Sequence, residues 1–278
     1  MVNNARSVGP LLREWRQRRR LSQLDLACDA DISTRHLSFV ETGRALPSRD
    51  MVLHLSERLE IPLRERNVLL VAAGYAPVFS ERSLDDPALA AARRAVDLVL
   101  KGHEPFPALA VDRHWTLIAA NGPVMRLMAG AAPALLAPPI NVLRLSLHPE
   151  GLAPRIANLA EWRDHLLARL RHQIEVTADA VLIELFKELR GYPASGGDKS
   201  ANGRVAGAPP ARSTVDDFAG VAVPFRLATD TGVLSFFSTT TMFGTPVDVT
   251  LAELALEAFY PADAATAEAL RAPAGATR

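Results

Sequence analysis

The chain has 278 residues, 49% of them apolar, and its 31 basic and 31 acidic side chains cancel to a formal charge of zero. That length suits one large domain or two ordinary ones; no run reaches the ~18 apolar residues of a membrane span, and the opening MVNNARSVGP predicts no secretion signal. Cys28 is the only cysteine, which excludes an internal disulfide and points to a reducing, cytoplasmic setting.

Residues 1–76 carry 12 arginines, no lysine and 9 acidic residues, a net of +3 that leaves −3 for the remainder. The excess permits phosphate binding without requiring it. This stretch reads as short helices on short connections. LLREWRQRR is helical, with Leu11, Leu12 and Trp15 inward. A second helix opens at Leu21-Ser22, with Ser22 as cap, Asp25 at the reciprocal position and Leu21 stapled onto Leu26. Cys28, beside Ala27, is expected in the core. Ser33 caps a third helix that Gly43 stops, and Ser48 caps a fourth, with Met51, Val52, Leu55 and Leu59 inward. Pro62 stands where a fifth can begin.

PALAAARRAVDLVLK, within a linker at 77–104, predicts a connecting helix. Residues 105–278 then read as a second domain. ALAVDRHWTLIAAN (108–121) alternates like a hairpin, and helical patterns follow at 122–129, 155–173 and 178–190. The Gly-, Pro-, Ala- and Ser-rich segment 191–214 has little to bury and reads as a mobile loop. AGVAVPFRLA, GVLSFFSTTTMF and TLAELALEAFY read as strands of an antiparallel sheet. The expected fold class is therefore an all-α domain followed by an α+β domain.

Placed at about 100° per residue, the third helix gathers Leu37 and Val40 on one side and Arg35, Ser38, Phe39 and Thr42 on the other. Two capped helices joined by Asp31-Ile32 make a helix-turn-helix, whose second helix enters the major groove of DNA. The stretch LSQLDLACDADISTRHLSFVETGRALPS resembles the lambda-repressor-like family known as the xenobiotic-response-element (XRE) class. Asp31 replaces that family's turn glycine. The resemblance implies a double-stranded DNA operator, with Gln23 on a phosphate, Thr34, Arg35 and Ser38 at the base-reading positions, Phe39 beside them, Arg44 on the backbone, and the capping Ser33 among the DNA-binding residues. It also makes Arg16 and Glu41 an internal salt bridge. Arg35 is chemically the strongest reader, because its fork can bond guanine O6 and N7 together. Phe39 can press on a thymine methyl or pack on a neighbouring helix.

Residues 105–260 resemble the MmyB-like regulators through PFPALAVDRHWTLIAAN, Asn141-Val-Leu-Arg144, the helix LAEWRDHLLARLR with Trp162, and the terminal strands. That implies a PAS-like sheet and helices around an apolar cavity, in a homodimeric regulator answering to a fatty acid or another hydrophobic molecule. Phe225, Phe236, Phe237, Met242, Phe243, Leu254, Leu256 and Phe259, with Met125 and Met128, offer lining or ordinary sheet core. Asn141 with Arg144, or Arg226, are candidate anchors for a carboxylate, and Arg144 equally a partner for a backbone carbonyl.

No cofactor, metal site or catalytic set is expected. His165 and His172 lie seven apart, too far for the i, i+4 metal spacing. Asp216-Asp217 sit at the end of the loop, and no nucleophile–base pattern or phosphate loop occurs. Two alternatives stand beside the ligand-gated regulator: an α+β domain that converts a small molecule, and a second domain that only dimerises.

Overall fold

The computed structural model describes residues 7–193, 223–243 and 248–272. From residue 194 on, the segment read as a mobile loop lies outside the described residues, as do Asp216 and Asp217. The helices are α1 (Val8–Arg18), α2 (Gln23–Asp29), α3 (Thr34–Glu41), α4 (Arg49–Arg58), α5 (Leu63–Ala72), α6 (Ala90–Gly102), α7 (Gly122–Met128), α8 (Pro133–Leu136), α9 (Val142–Leu147), α10 (Leu159–Thr177), α11 (Ala180–Gly191), α12 (Val249–Ala252) and α13 (Ala264–Arg271). The strands are β1 (Ala108–Val111), β2 (Leu117–Ala120), β3 (Phe225–Thr229), β4 (Gly232–Met242) and β5 (Ala255–Pro261). The described chain divides into two compact units, Met1–Ser83 with Glu175–Thr177 and Thr245–Ala252, and Leu84–Ile174 with Ala178–Gly244 and Glu253–Arg278.

In the first unit the local sequence signals set the helix starts. Ser22 Oγ accepts from Asp25 N at 3.1 Å while Asp25 accepts from Ser22 N at 2.8 Å, the reciprocal box expected. Ser33 and Ser48 cap α3 and α4 by accepting from His36 N and Met51 N, and Pro62 precedes α5. The turn between α2 and α3 passes through Asp31 at φ +51°, so aspartate takes the left-handed conformation that glycine would adopt without strain. Gly43, at φ +74°, ends α3. Leu12, Leu26, Leu37, Val40, Val52, Leu55 and Leu70 form the core. Cys28 departs from expectation: it is exposed, because Leu26, Ala27 and Ala30 take the inward positions around α2.

One glycine sets a packing distance. A Cβ on Gly9 would stand 2.4 Å from Val40 O and 2.7 Å from Glu41 O, so α1 crosses the end of α3 closer than a side chain permits. Gly9→Ala is expected to push the two helices apart and destabilise this unit by about 1–3 kcal/mol. Urea unfolding measures it; an unchanged midpoint would show that α1 can shift at no cost.

The run 250–260, read as one strand, is instead the helical turn α12 followed by β5. Asp248 Oδ1 accepts from Thr250 N at 2.9 Å and opens that turn. Asp248 also pairs with Arg82 at 3.3 Å, and Val249 N donates to Ser80 O at 2.8 Å.

The second unit holds a five-stranded antiparallel sheet of order β2-β1-β5-β4-β3 with helices, the α+β arrangement expected. The β1–β2 turn is held by Asp112 Oδ1, which accepts from both His114 N and Thr116 N at 2.8 Å. Register decides what each face carries, since paired residues share a face and sequence neighbours do not. Leu109 pairs with Glu257, Glu257 with Thr240, Ser238 with Phe259, and Phe225 with Phe236. Leu109, Phe225, Leu227, Leu234 and Phe236 on that face belong to a core cluster that also includes Leu143, Leu145, Leu166, Leu170 and Leu182.

Candidate functional site

Helix α3 presents the surface that its pattern predicts. Leu37 and Val40 are fully buried, Arg35 is exposed, and Thr34, Ser38 and Phe39 are half-buried. The guanidinium carbons of Arg35 and Arg44 lie 5.3 and 5.9 Å from the centre of the Phe39 ring, a cation–aromatic cluster at the helix surface. Behind it, Glu41 fixes the helix. Arg16 Nε and Nη2 donate to its two oxygens at 2.6 and 2.9 Å, and the bond to Glu41 raises the Arg16 guanidinium above its ordinary pKa. Gln23 Nε2 donates to Glu41 Oε2 at 2.8 Å, so the residue assigned to a phosphate is also tied to the end of α3. The Ser33 hydroxyl accepts from His36 N, which leaves its proton for another acceptor.

The second unit has a cavity of about 90 Å³ against one face of its sheet. Most of its wall is apolar, including Leu109, Trp115, Leu127, Met128, Leu145 and Phe225. Four lining residues are polar: Ser146, Arg169, Ser238 and Glu257. Glu257 is only 4% exposed. Its Oε1 accepts from Arg169 Nη2 at 2.5 Å and from Thr240 Oγ1 at 2.9 Å, and its Oε2 accepts from Arg169 Nη1 at 3.1 Å. Arg169 Nη2 also donates to Thr240 Oγ1 at 2.6 Å. The Arg169 guanidinium carbon lies 4.6 Å from the Trp115 ring centre. Trp162 Nε1 donates to Ser146 Oγ at 3.0 Å, and His165 stacks on the Trp162 ring. Burial, followed by the charge of Arg169, lowers the His165 imidazole below its ordinary value.

Of the residues singled out for this site, Met128, Trp162, Phe225 and Phe259 line the cavity; Met125, Asn141, Arg144, Arg226, Phe236, Phe237, Met242, Phe243, Leu254 and Leu256 do not. Asn141 caps α9 by accepting from Arg144 N, and its amide donates to His114 O. Arg144 Nε and Nη2 bond both oxygens of Glu188 at 2.7 Å, so its positive charge already has a carboxylate. That bond holds Glu188 below the usual carboxylate range, while burial and Glu188 push the neighbouring Tyr192 hydroxyl up to about 12. Phe237 and Arg226 lie on the opposite sheet face from Phe236 and Phe225, as strand alternation demands, and Phe237 stacks on Tyr260. Phe236 is wholly buried behind Phe225 and Phe259, and Met242 is 57% exposed. The sequence reading overlooked Arg169 and Glu257. Both left signals: Trp162, Leu166 and Arg169 fall at i, i+4, i+7 on α10, and Glu257 is a lone charge in an apolar strand.

Residues 92–272 match the family model described as the MmyB-like transcription regulator ligand binding domain. The chain belongs to this family. A helix-turn-helix domain model matches residues 7–69, so this MmyB-like chain joins a helix-turn-helix unit to a ligand-binding domain, the organisation of a ligand-responsive transcription regulator. No curated protein matches the chain. Among the described residues, no helix is long and apolar enough to cross a membrane, and no group of three or more His, Cys, Asp or Glu side chains could hold a metal ion.

Proposed function

We infer that the chain is a cytoplasmic, homodimeric regulator whose operator affinity is set by a hydrophobic small molecule held in the cavity of the second unit. In this reading residues 1–76 bind DNA, 77–104 link, and 105–278 sense and dimerise. The apolar cavity carries it, because a wall of Leu, Val, Met, Trp and Phe side chains inside a ligand-binding family match suits a molecule that leaves water for hydrocarbon. A strand order of β2-β1-β5-β4-β3 supports the PAS-like description. The acyl-chain expectation agrees with flexible walls at Leu127 and Met128. The cavity is smaller than the roughly 150 Å³ that holds a benzene, so a chain of fatty-acid length enters only if these walls give way. The converting-enzyme alternative loses ground at Glu257, whose two oxygens already accept from Arg169 and Thr240. As a two-fold dimer the protein would meet two half-sites about one helical turn apart.

DNA reading is tested on selected operator and random DNA side by side. Arg35→Ala is expected to lose about 1–3 kcal/mol on the operator and to relax preference at one base pair. Arg44→Ala is expected to weaken all sequences alike and to flatten the salt dependence by about one phosphate contact. Equal losses on both DNAs for Arg35→Ala would remove it from the base-reading role.

A further inference from the structure

Resting on the reading of this cavity as the effector site, we propose that it takes an uncharged ligand, an apolar molecule carrying one hydrogen-bond acceptor, and that Glu257 is the residue that turns carboxylates away. Among the described residues the cavity wall holds one cation, Arg169, and that cation is already paired with a carboxylate. Glu257 meets two of its nitrogens, Thr240 Oγ1 meets one of them as well, and the Trp115 ring lies 4.6 Å from the guanidinium carbon. An incoming carboxylate therefore has two routes. It can sit beside Glu257, where two negative charges face each other in a low-dielectric site and repel strongly. Or it can displace Glu257 from Arg169, leaving a side chain that is 4% exposed with its charge unpaired. Both routes penalise the anion and neither penalises its neutral counterpart.

The two lining hydroxyls point to what the ligand offers instead. Ser146 Oγ already accepts from Trp162 Nε1, so its own proton remains to be donated. Ser238 shares the sheet face of Glu257 and Phe259, and its hydroxyl has no hydrogen-bond partner among the described residues. Neutral donors in an apolar wall suit an ester, ketone or alcohol oxygen. A body of acyl type thus binds as its ester or alcohol and is discriminated from the free acid by one buried carboxylate.

The test uses the full-length protein and a series of n-alkanoic acids, pentyl to decyl, each with its methyl ester and alkanol, titrated at neutral pH by calorimetry. The wild type is expected to bind the ester or alcohol at least about tenfold more tightly than the acid of equal length, roughly one pKd unit. Glu257→Gln keeps the shape, removes the charge and exposes the Arg169 cation to the ligand. It is expected to reverse the order in favour of the acid. A wild type that prefers the acid, or a Glu257→Gln variant with the wild-type order, overturns the proposal while leaving the cavity as effector site. If no member of the series binds the wild type, the effector-site reading falls and this proposal with it. Should Glu257→Gln fail to fold, Arg169→Met combined with Glu257→Leu leaves no buried charge. That pair is expected to retain ester binding, because the neutral ligand needs neither charge; loss of ester binding in a folded double variant would overturn the proposal.

Discussion

Glu41→Ala is expected to cost the helix-turn-helix unit about 3–5 kcal/mol, the loss typical when one member of a buried ion pair is removed. Arg16 and Glu41 are 7% and 4% exposed, so the guanidinium left behind has no water to replace its carboxylate. Three helices feel the change. Arg16 comes from α1 and also donates to Leu21 O at 2.7 Å, Gln23 opens α2, and Glu41 closes α3. Operator binding should fail together with folding, because Gln23 and the recognition helix lose a common anchor. Replacing both members by apolar residues, Arg16→Met with Glu41→Leu, should recover most of the stability. Chemical denaturation of the single and double variants decides the matter. A single variant within about 1 kcal/mol of wild type would mean that the pair is no more than a surface bridge.

The N-terminal unit was legible almost residue by residue because its signals are local. A serine three residues before a backbone N–H, a glycine at a left-handed position and a 3.6-residue apolar period each act within one or two turns. Ser22, Ser33, Ser48 and Gly43 could be read as caps and stops without knowing what packs against them. Cys28 misled because its neighbour Ala27 is buried and one residue of rotation separates core from solvent. The sensor unit depends on pairing at a distance. Composition drew attention to Phe225, Phe236, Phe237 and Arg226 together, but a strand cannot turn neighbours to one side, and register alone selects Phe225 and Phe236 over the other two. Arg144 looked available because its partner Glu188 lies 44 residues away on another helix. Arg169 and Glu257, 88 positions apart, meet only when α10 packs on β5. Nothing local records that meeting, though the solitary glutamate in ALEAFY is the kind of residue a strand buries only with a partner.

Phe236→Ala is expected to be the most damaging change in the sensor unit, at about 3–5 kcal/mol. The side chain is fully buried at 0% exposure and sits 6.2 Å from the Phe225 ring centre and 6.3 Å from that of Phe259. A charge there, as in Phe236→Asp, should prevent folding of this unit rather than block a ligand selectively. The alanine variant is the informative one, because Phe225 and Phe259 both line the cavity. Removing the ring that packs against both is expected to open space beside a cavity of about 90 Å³, and the size of the stability loss should track the volume that fails to collapse. A neutral apolar ligand can then return part of that loss. Each extra buried methylene contributes about 0.8 kcal/mol, so the best chain length should rise in Phe236→Ala relative to wild type, and thermal stabilisation at saturating ligand should be larger by mass action. Melting curves across a series of alkanols give both quantities. A variant that loses the expected stability but keeps the wild-type length preference would place Phe236 in an ordinary core, walled off from any ligand. A longer optimum would show that the phenylalanine cluster of β3, β4 and β5 sets how much ligand the sensor can hold.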